Sequence, residues 1–272
     1  MISFPNAKIN LGLNVLRKRP DGYHDIDSVF YPVDWKDVLE LVPSTKDASS
    51  FHYSGLHIPG ESTNNLLVKA LALLQQNYSI PAVEVYLHKL IPMGAGLGGG
   101  SSDGAFMIKA LNELFSLQLS IEEMEKFAAQ LGSDCPFFIR NLPAHVEGRG
   151  ERMSTIELDL SSYSIYLTNP NLHIGTAEAY SGIQPSVPAY SSLQIVQQFP
   201  IGEWKNYLKN DFEISAFSRF PDLKSDKEML YEMGAIYASM TGSGSTLFGI
   251  FPHKNPDVSD YFEAKNYSGK WS

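Results

Sequence analysis

A two-domain protein that mixes strands with helices is the expected fold, and three observations predict it. The chain has 272 residues, a length that suits roughly two domains at about 150 residues each. Hydrophobic residues make up 43% and charged residues 19%, the balance of a chain that buries a core. Stretches with an apolar period of two are interspersed with stretches of helical period, so both element types are expected.

Residues 8–16 alternate. Ile9, Leu11, Leu13 and Val15 share one face, and Lys8, Asn10, Gly12 and Asn14 the other, as in a strand. Pro20-Asp21-Gly22 is a turn signal, and the extended run Ile26 to Val33 completes a predicted hairpin. Ser62-Thr63-Asn64-Asn65 opens a helix through Leu66, Val68, Ala70, Leu73 and Leu74. Val83 to Leu90 alternates as a further strand. A glycine-rich segment follows it, then a helical pattern at Phe106, Met107, Ala110, Leu111 and Leu114. Ser120 with Glu123 predicts a capping box on a helix that ends at Gly132. In the second half, Ser164 to Leu167 reads as a short strand. Residues 182 to 203, rich in Gly, Pro, Ser and Gln, read as an irregular connection. Asp222 to Met233 reads as a helix stopped by Gly234. Ile236 to Met240 and Thr246 to Phe251 read as strands flanking Thr241-Gly242-Ser243-Gly244-Ser245. The domain boundary is expected near residue 155.

Composition narrows the function. The net charge of -9 disfavours nucleic acid as a partner, because such binders carry a basic footprint. No stretch reaches the ~20 apolar residues of a membrane span. Met1 to Lys8 lacks a basic region followed by an apolar one, so no signal peptide is expected. One cysteine, Cys135, rules out an intrachain disulfide and a thiolate zinc site. The seven histidines show no HExxH-type spacing. A cytoplasmic protein acting on a small molecule is the expectation.

The segment Gly94 to Ser102 carries the most information. It has five glycines within seven residues, between a predicted strand and a predicted helix. Glycine lets another group approach the backbone closely, and Ser101, Ser102 and Asp103 are good helix-start residues. The first amides of a helix lack intrahelical partners and sit at the positive end of its dipole. Together these features make a cradle for phosphate. Gly94, Gly96 and Gly99 match G-x-G-x-x-G, but no strand follows the helix as a dinucleotide fold requires. A Walker loop needs Gly-Lys-Ser/Thr where Gly99 is followed by Gly100 and Ser101, and the protein-kinase HRD and DFG elements are missing.

Pro92-Met93-Gly94-Ala95-Gly96-Leu97-Gly98-Gly99-Gly100-Ser101-Ser102 resembles the phosphate loop of the GHMP small-molecule kinases. Four further segments resemble that family in the same order: Pro5-Asn6-Ala7-Lys8-Ile9-Asn10-Leu11, Arg19-Pro20-Asp21-Gly22-Tyr23-His24, Leu131-Gly132-Ser133-Asp134-Cys135-Pro136-Phe137-Phe138, and Thr241-Gly242-Ser243-Gly244-Ser245. The resemblance runs from residue 5 to about residue 250, with no motif between 182 and 235. It implies an α+β fold of two domains with the site in the cleft between them. Residues 1–155 would form an N-terminal domain like the second domain of ribosomal protein S5, and 156–272 a ferredoxin-like C-terminal domain.

The reaction implied is transfer of the γ-phosphoryl of ATP, with Mg²⁺, to an alcohol. Such a transfer needs alignment, charge neutralisation and a destination for the alcohol proton. By the resemblance, Asp134 would take that proton and Lys8 would be the catalytic cation. Residues 92–102 would hold ATP. The protein ligands of the metal stay unassigned, with Ser102 one candidate. The Gly22-Tyr23-His24 turn and the glycine triplet Gly98 to Gly100 resemble a branch of the family whose acceptor is a cytidine diphosphate derivative of methylerythritol. Asn10, Tyr23, His24, Thr176 and Tyr180 would bind it, with aromatic rings stacking on the base. Gly175 and Ala177 stand where a familiar version of the motif has prolines. Alternatives are a mevalonate-pathway or homoserine kinase, or a non-catalytic ATP-binding protein; a monomer or a homodimer fits.

Overall fold

The computed structural model describes residues 1–60, 62–252, 258, 261–263, 265 and 267–272. In chain order the strands and helices are β1 (Ile2–Ser3), β2 (Asn6–Lys18), β3 (His24–Lys36), β4 (Val38–Pro43), β5 (Ser50–Gly55), α1 (Leu66–Gln75), β6 (Val83–Lys89), α2 (Gly99–Leu114), α3 (Ile121–Leu131), α4 (Cys135–Arg140), β7 (Ala144–Gly148), β8 (Arg152–Thr155), β9 (Ser164–Asn169), α5 (Thr176–Ser181), α6 (Ser192–Gln198), α7 (Ile201–Tyr207), α8 (Phe212–Arg219), α9 (Pro221–Glu232), β10 (Tyr237–Met240), β11 (Leu247–Phe251) and β12 (Ser268–Trp271). They form two compact units. Unit 1 holds residues 1–7, 35–93 and 98–142; unit 2 holds 8–34, 94–97 and 143–272.

Unit 1 is a four-stranded sheet, order β1-β4-β6-β5, with α1 to α4. Alternation along β4 and β6 buries Leu39, Leu41, Val83, Val85 and Leu87, while Val42 and Tyr86 are exposed. β5 pairs parallel with β6, which requires a crossover, and α1 supplies it. Asn65 caps α1 by accepting from the Leu67 amide, so the helix begins after the polar run and not within it. Ser120 and Glu123 form the expected capping box, and α3 closes at Gly132.

Unit 2 contains two further sheets, β2-β3-β7-β8 and β10-β11-β9-β12, with α5 to α9. Arg19 N–H donates to the Tyr23 carbonyl at 2.8 Å, and Gly22 takes a φ of 84° in the turn between β2 and β3. Most of β2 is buried on both faces. Ile9, Leu11 and Val15 enter the apolar core, and Lys8, Asn10 and Asn14 are buried as well. Buried polar groups on one strand face need partners, and those partners define the site below.

The expected irregular connection at 182–203 contains helices. Ser191 accepts from the Gln194 amide while Gln194 returns a bond to the Ser191 amide, a capping box that starts α6, and Pro200 precedes α7. Composition suggested loop because helix-start residues and loop residues are the same types.

Candidate active site

In unit 2 the segment Gly94–Leu97 lies against the C-terminal glycine motif. Gly96 has a φ of 79°, and a Cβ built there would fall 2.0 Å from the Thr241 carbonyl oxygen. Gly242, with a φ of 56°, returns the contact: its Cβ would lie 2.8 Å from Gly96 Cα. Only two glycines permit this approach. The Leu97 carbonyl accepts from the Lys8 amide at 3.0 Å, which ties the same segment to β2.

Asn10 organises the polar face of β2. Its Oδ1 accepts from Lys8 Nζ at 2.6 Å and from the Gly242 amide at 2.9 Å. Those two donors fill the lone pairs of an amide oxygen. Thr241 Oγ1 lies 3.1 Å from both Asn10 Oδ1 and the Gly96 carbonyl, so its proton goes to Gly96, while it accepts from the Asn10 amide at 3.0 Å. Asn10 Nδ2 donates to Ser28 Oγ at 3.0 Å. Lys8 is buried with Nζ 4.4 Å from the Phe30 ring centroid. An ammonium so desolvated is a strong local positive charge, in a chain whose overall charge is negative.

Neighbouring strands are braced by Asp27. Its Oδ1 pairs with His145 Nε2 at 2.8 Å, and its Oδ2 accepts from Asn14 Nδ2 at 2.9 Å and from the Ser192 amide at 2.7 Å. Burial alone would raise this carboxyl; the hydrogen bonds from His145, Ser192 and Asn14 outweigh it and hold it below the usual aspartate range.

Of the residues expected to meet the base, His24 and Tyr180 come together. Their rings stack with centroids 4.6 Å apart, and Tyr180 meets Phe212 edge-on at 4.8 Å. Tyr23 is 59% exposed, with the Arg149 guanidinium 5.0 Å from its ring centroid. Thr176 opens α5; its side chain lies outside the described residues.

In unit 1 the other part of the loop leads into α2. Gly98 takes a φ of 70° at the N-cap position without a side-chain cap, so the helix starts at Gly99, earlier than the serines suggested. The amides of Gly99, Gly100 and Ser101 come first in the helix and have no intrahelical acceptors. Ser102 is buried, and its Oγ has no hydrogen-bond partner. Such an orphaned hydroxyl fits an oxygen ligand for a hard cation, which binds nucleotide phosphates with one or two protein ligands. Among the described residues no group of three or more His, Cys, Asp or Glu side chains forms a metal site. Asp134 occupies the N-cap position of α4 but makes no cap hydrogen bond there; Ser133 Oγ lies 3.4 Å from its Oδ1. Cys135 is buried and its thiol is pushed up to about 12 by desolvation, so it is an apolar packing group and not a nucleophile.

Sequence reasoning missed the support for the C-terminal motif. Asn210 Nδ2 donates to the Met240 carbonyl at 2.7 Å and to the Gly242 carbonyl at 2.9 Å. It lies between residues 182 and 235, where the sequence carries no motif, flanked by Lys209 and Asp211, and no local pattern marks it.

A glycine loop fastened beside a buried lysine is the arrangement of a phosphoryl-transfer enzyme. The chain belongs to the GHMP kinase family: residues 65–141 match the profile described as GHMP kinases N terminal domain, and 196–268 the one described as GHMP kinases C terminal. It is 49% identical to a 4-diphosphocytidyl-2-C-methyl-D-erythritol kinase of Bacteroides fragilis over 97% of both chains. A relative of that same name from Cytophaga hutchinsonii is 50% identical over 93% of both. A crystal structure of 4-(cytidine 5'-diphospho)-2C-methyl-D-erythritol kinase matches with TM-score 0.83 and 31% identity, covering 100% of this chain and 98% of that one. A homoserine kinase from Cytophaga hutchinsonii shares the fold at TM-score 0.71 and 14% identity. No helix among the described residues is long and apolar enough to cross a membrane.

Proposed function

We propose that this chain transfers the γ-phosphoryl of ATP to the 2-hydroxyl of 4-diphosphocytidyl-2-C-methyl-D-erythritol, a step of non-mevalonate isopentenyl diphosphate synthesis. The observation that carries the reading is the fastening of Gly94–Leu97 against Lys8, Thr241 and Gly242, in a chain whose relatives of that name align along nearly its whole length. The five motifs shared with the family lie on either side of residue 155, as do the two matched segments, which supports division into N- and C-terminal modules there.

Residues 92–102 grip the triphosphate through backbone amides, which are fixed in place and need no rearrangement. Ser102 Oγ would hold Mg²⁺, which would supply neutralising positive charge to the phosphates. Lys8, held by Asn10, supplies fixed positive charge to the transferring group. Asp134 accepts the proton of the acceptor hydroxyl as its oxygen attacks phosphorus and the bond to ADP breaks. Lys8 and Asn10 also align the methylerythritol end, and Tyr23, His24, Thr176 and Tyr180 hold the cytidine end. The His24–Tyr180 stack supports an aromatic platform for the base, worth about 1–3 kcal/mol of stacking.

Purified protein with ATP, Mg²⁺ and the cytidyl acceptor tests this. ADP release with that acceptor, and little with mevalonate or homoserine, is expected. No ADP release with the cytidyl compound refutes it.

A further inference from the structure

The two stems of the glycine loop in unit 1 are joined by buried ions. Lys89, the last residue of β6, is fully buried. Its Nζ donates to Asp37 Oδ2 and, at 2.7 Å, to Asp103 Oδ2. Asp37 lies between β3 and β4. Its Oδ1 accepts from the amides of Leu90 at 2.6 Å and Ile91 at 2.8 Å, the residues that lead into Pro92. Asp103 belongs to α2. The ammonium also lies against the start of that helix, since a Cβ on Gly99 would fall 3.0 Å from Nζ.

Burying three ionisable groups is costly, and a well-packed apolar substitute commonly stabilises as well or better. Stability alone therefore does not explain the cluster. Its geometry does something apolar packing cannot: directional bonds reach the strand exit through Asp37 and the helix start through Asp103, with one ammonium common to both. Asp37 receives three donors. Asp103 Oδ2 accepts from the same ammonium.

We propose that Asp37, Lys89 and Asp103 are positioning residues that fix the exit of β6 and the first turn of α2 in the nucleotide-binding arrangement before nucleotide arrives. The role rests on the reading of residues 92–102 as the ATP loop. None of the three touches the reacting atoms; they act through the amides of Gly99, Gly100 and Ser101.

The test compares wild type with Lys89→Met, Asp103→Ala and Asp103→Asn, each checked for a native circular-dichroism spectrum. Calorimetry gives MgATP affinity and steady-state kinetics the acceptor KM and kcat. Lys89→Met and Asp103→Ala should weaken MgATP at least about tenfold, with acceptor KM and saturated kcat within about threefold; Asp103→Asn, which keeps an acceptor for Lys89, should restore affinity to within about threefold. Unchanged MgATP affinity in folded Lys89→Met or Asp103→Ala, with normal wild-type binding, overturns the positioning role alone. A wild type that binds no MgATP overturns the nucleotide reading itself. Should both variants fail to fold, amide exchange in nucleotide-free wild type decides: protected Leu90 and Ile91 amides support the clamp. Open-chain exchange there until MgATP is added overturns it.

Discussion

Adding one methyl group at Gly96 should disable the enzyme while leaving most of the protein folded. Alanine at a φ of 79° costs about 1–2 kcal/mol in backbone strain. The larger effect is steric. The new Cβ would fall 2.0 Å from the Thr241 carbonyl oxygen, whereas carbon and oxygen approach no closer than about 3.3 Å. The loop must therefore retreat by more than about 1 Å. That breaks the Thr241 Oγ1 bond to the Gly96 carbonyl and strains the Lys8 amide bond to Leu97, each contributing about 0.5–1.5 kcal/mol. The sum is about 2–5 kcal/mol, and a misplacement of about 1 Å in a phosphate-aligning loop costs on the order of 100-fold in rate. Gly96→Ala should lower kcat/KM for MgATP at least about 100-fold in an ADP-release assay. Gly202→Ala is the control. Gly202 lies in α7 with nothing within 4 Å of its added Cβ, so that change should stabilise by up to about 1 kcal/mol and leave activity alone. A Gly96→Ala enzyme within about threefold of wild type would refute the close-approach argument.

Other expectations follow from the same geometry. Asp134→Asn should lower kcat by about 100-fold or more, as loss of a proton acceptor does, with MgATP affinity unchanged by calorimetry. Tyr180→Ala removes the partner of His24 and should raise the acceptor KM about tenfold without moving the KM for ATP, read from initial rates in the two substrates. Asp27 has a folded pKa held below its unfolded one. Its contribution is therefore complete above the unfolded value and lost as pH falls through the folded one, below about pH 4. Asp27→Asn should flatten the acid limb of the stability curve in urea titrations below about pH 4, and an unchanged limb would remove Asp27 from the acid response.

Local chemistry was legible wherever the chain speaks over short distances. The alternation at residues 8–16, the turn at Gly22, the Ser120–Glu123 box and the glycine loop all appear in the structure as the sequence suggests. β5 was not legible because it is a mostly exposed edge strand whose alternation is only two aromatics long, Phe51 and Tyr53. α6 and α7 were hidden by capping and proline residues that also favour loops. The glycine motif at residue 242 could be read as a turn, but its contact with Gly96 lies about half the chain away in sequence, and no local pattern encodes such a meeting. Asn10 shares a strand face with Lys8, as the alternation suggests, and its side chain bonds Lys8, Ser28 and the Gly242 amide within unit 2.

The interleaving of the two units sets a schedule for the ribosome. The hairpin of β2 and β3 is translated among the first 34 residues, yet it belongs to a unit that also needs residues 143–272, whereas unit 1 is complete once residue 142 has been made. At about 5–20 residues per second, the roughly 200 residues up to Gly242 keep that early ribbon waiting for roughly ten to forty seconds. Through that interval Asn10 lacks the Thr241 and Gly242 partners it will later hold.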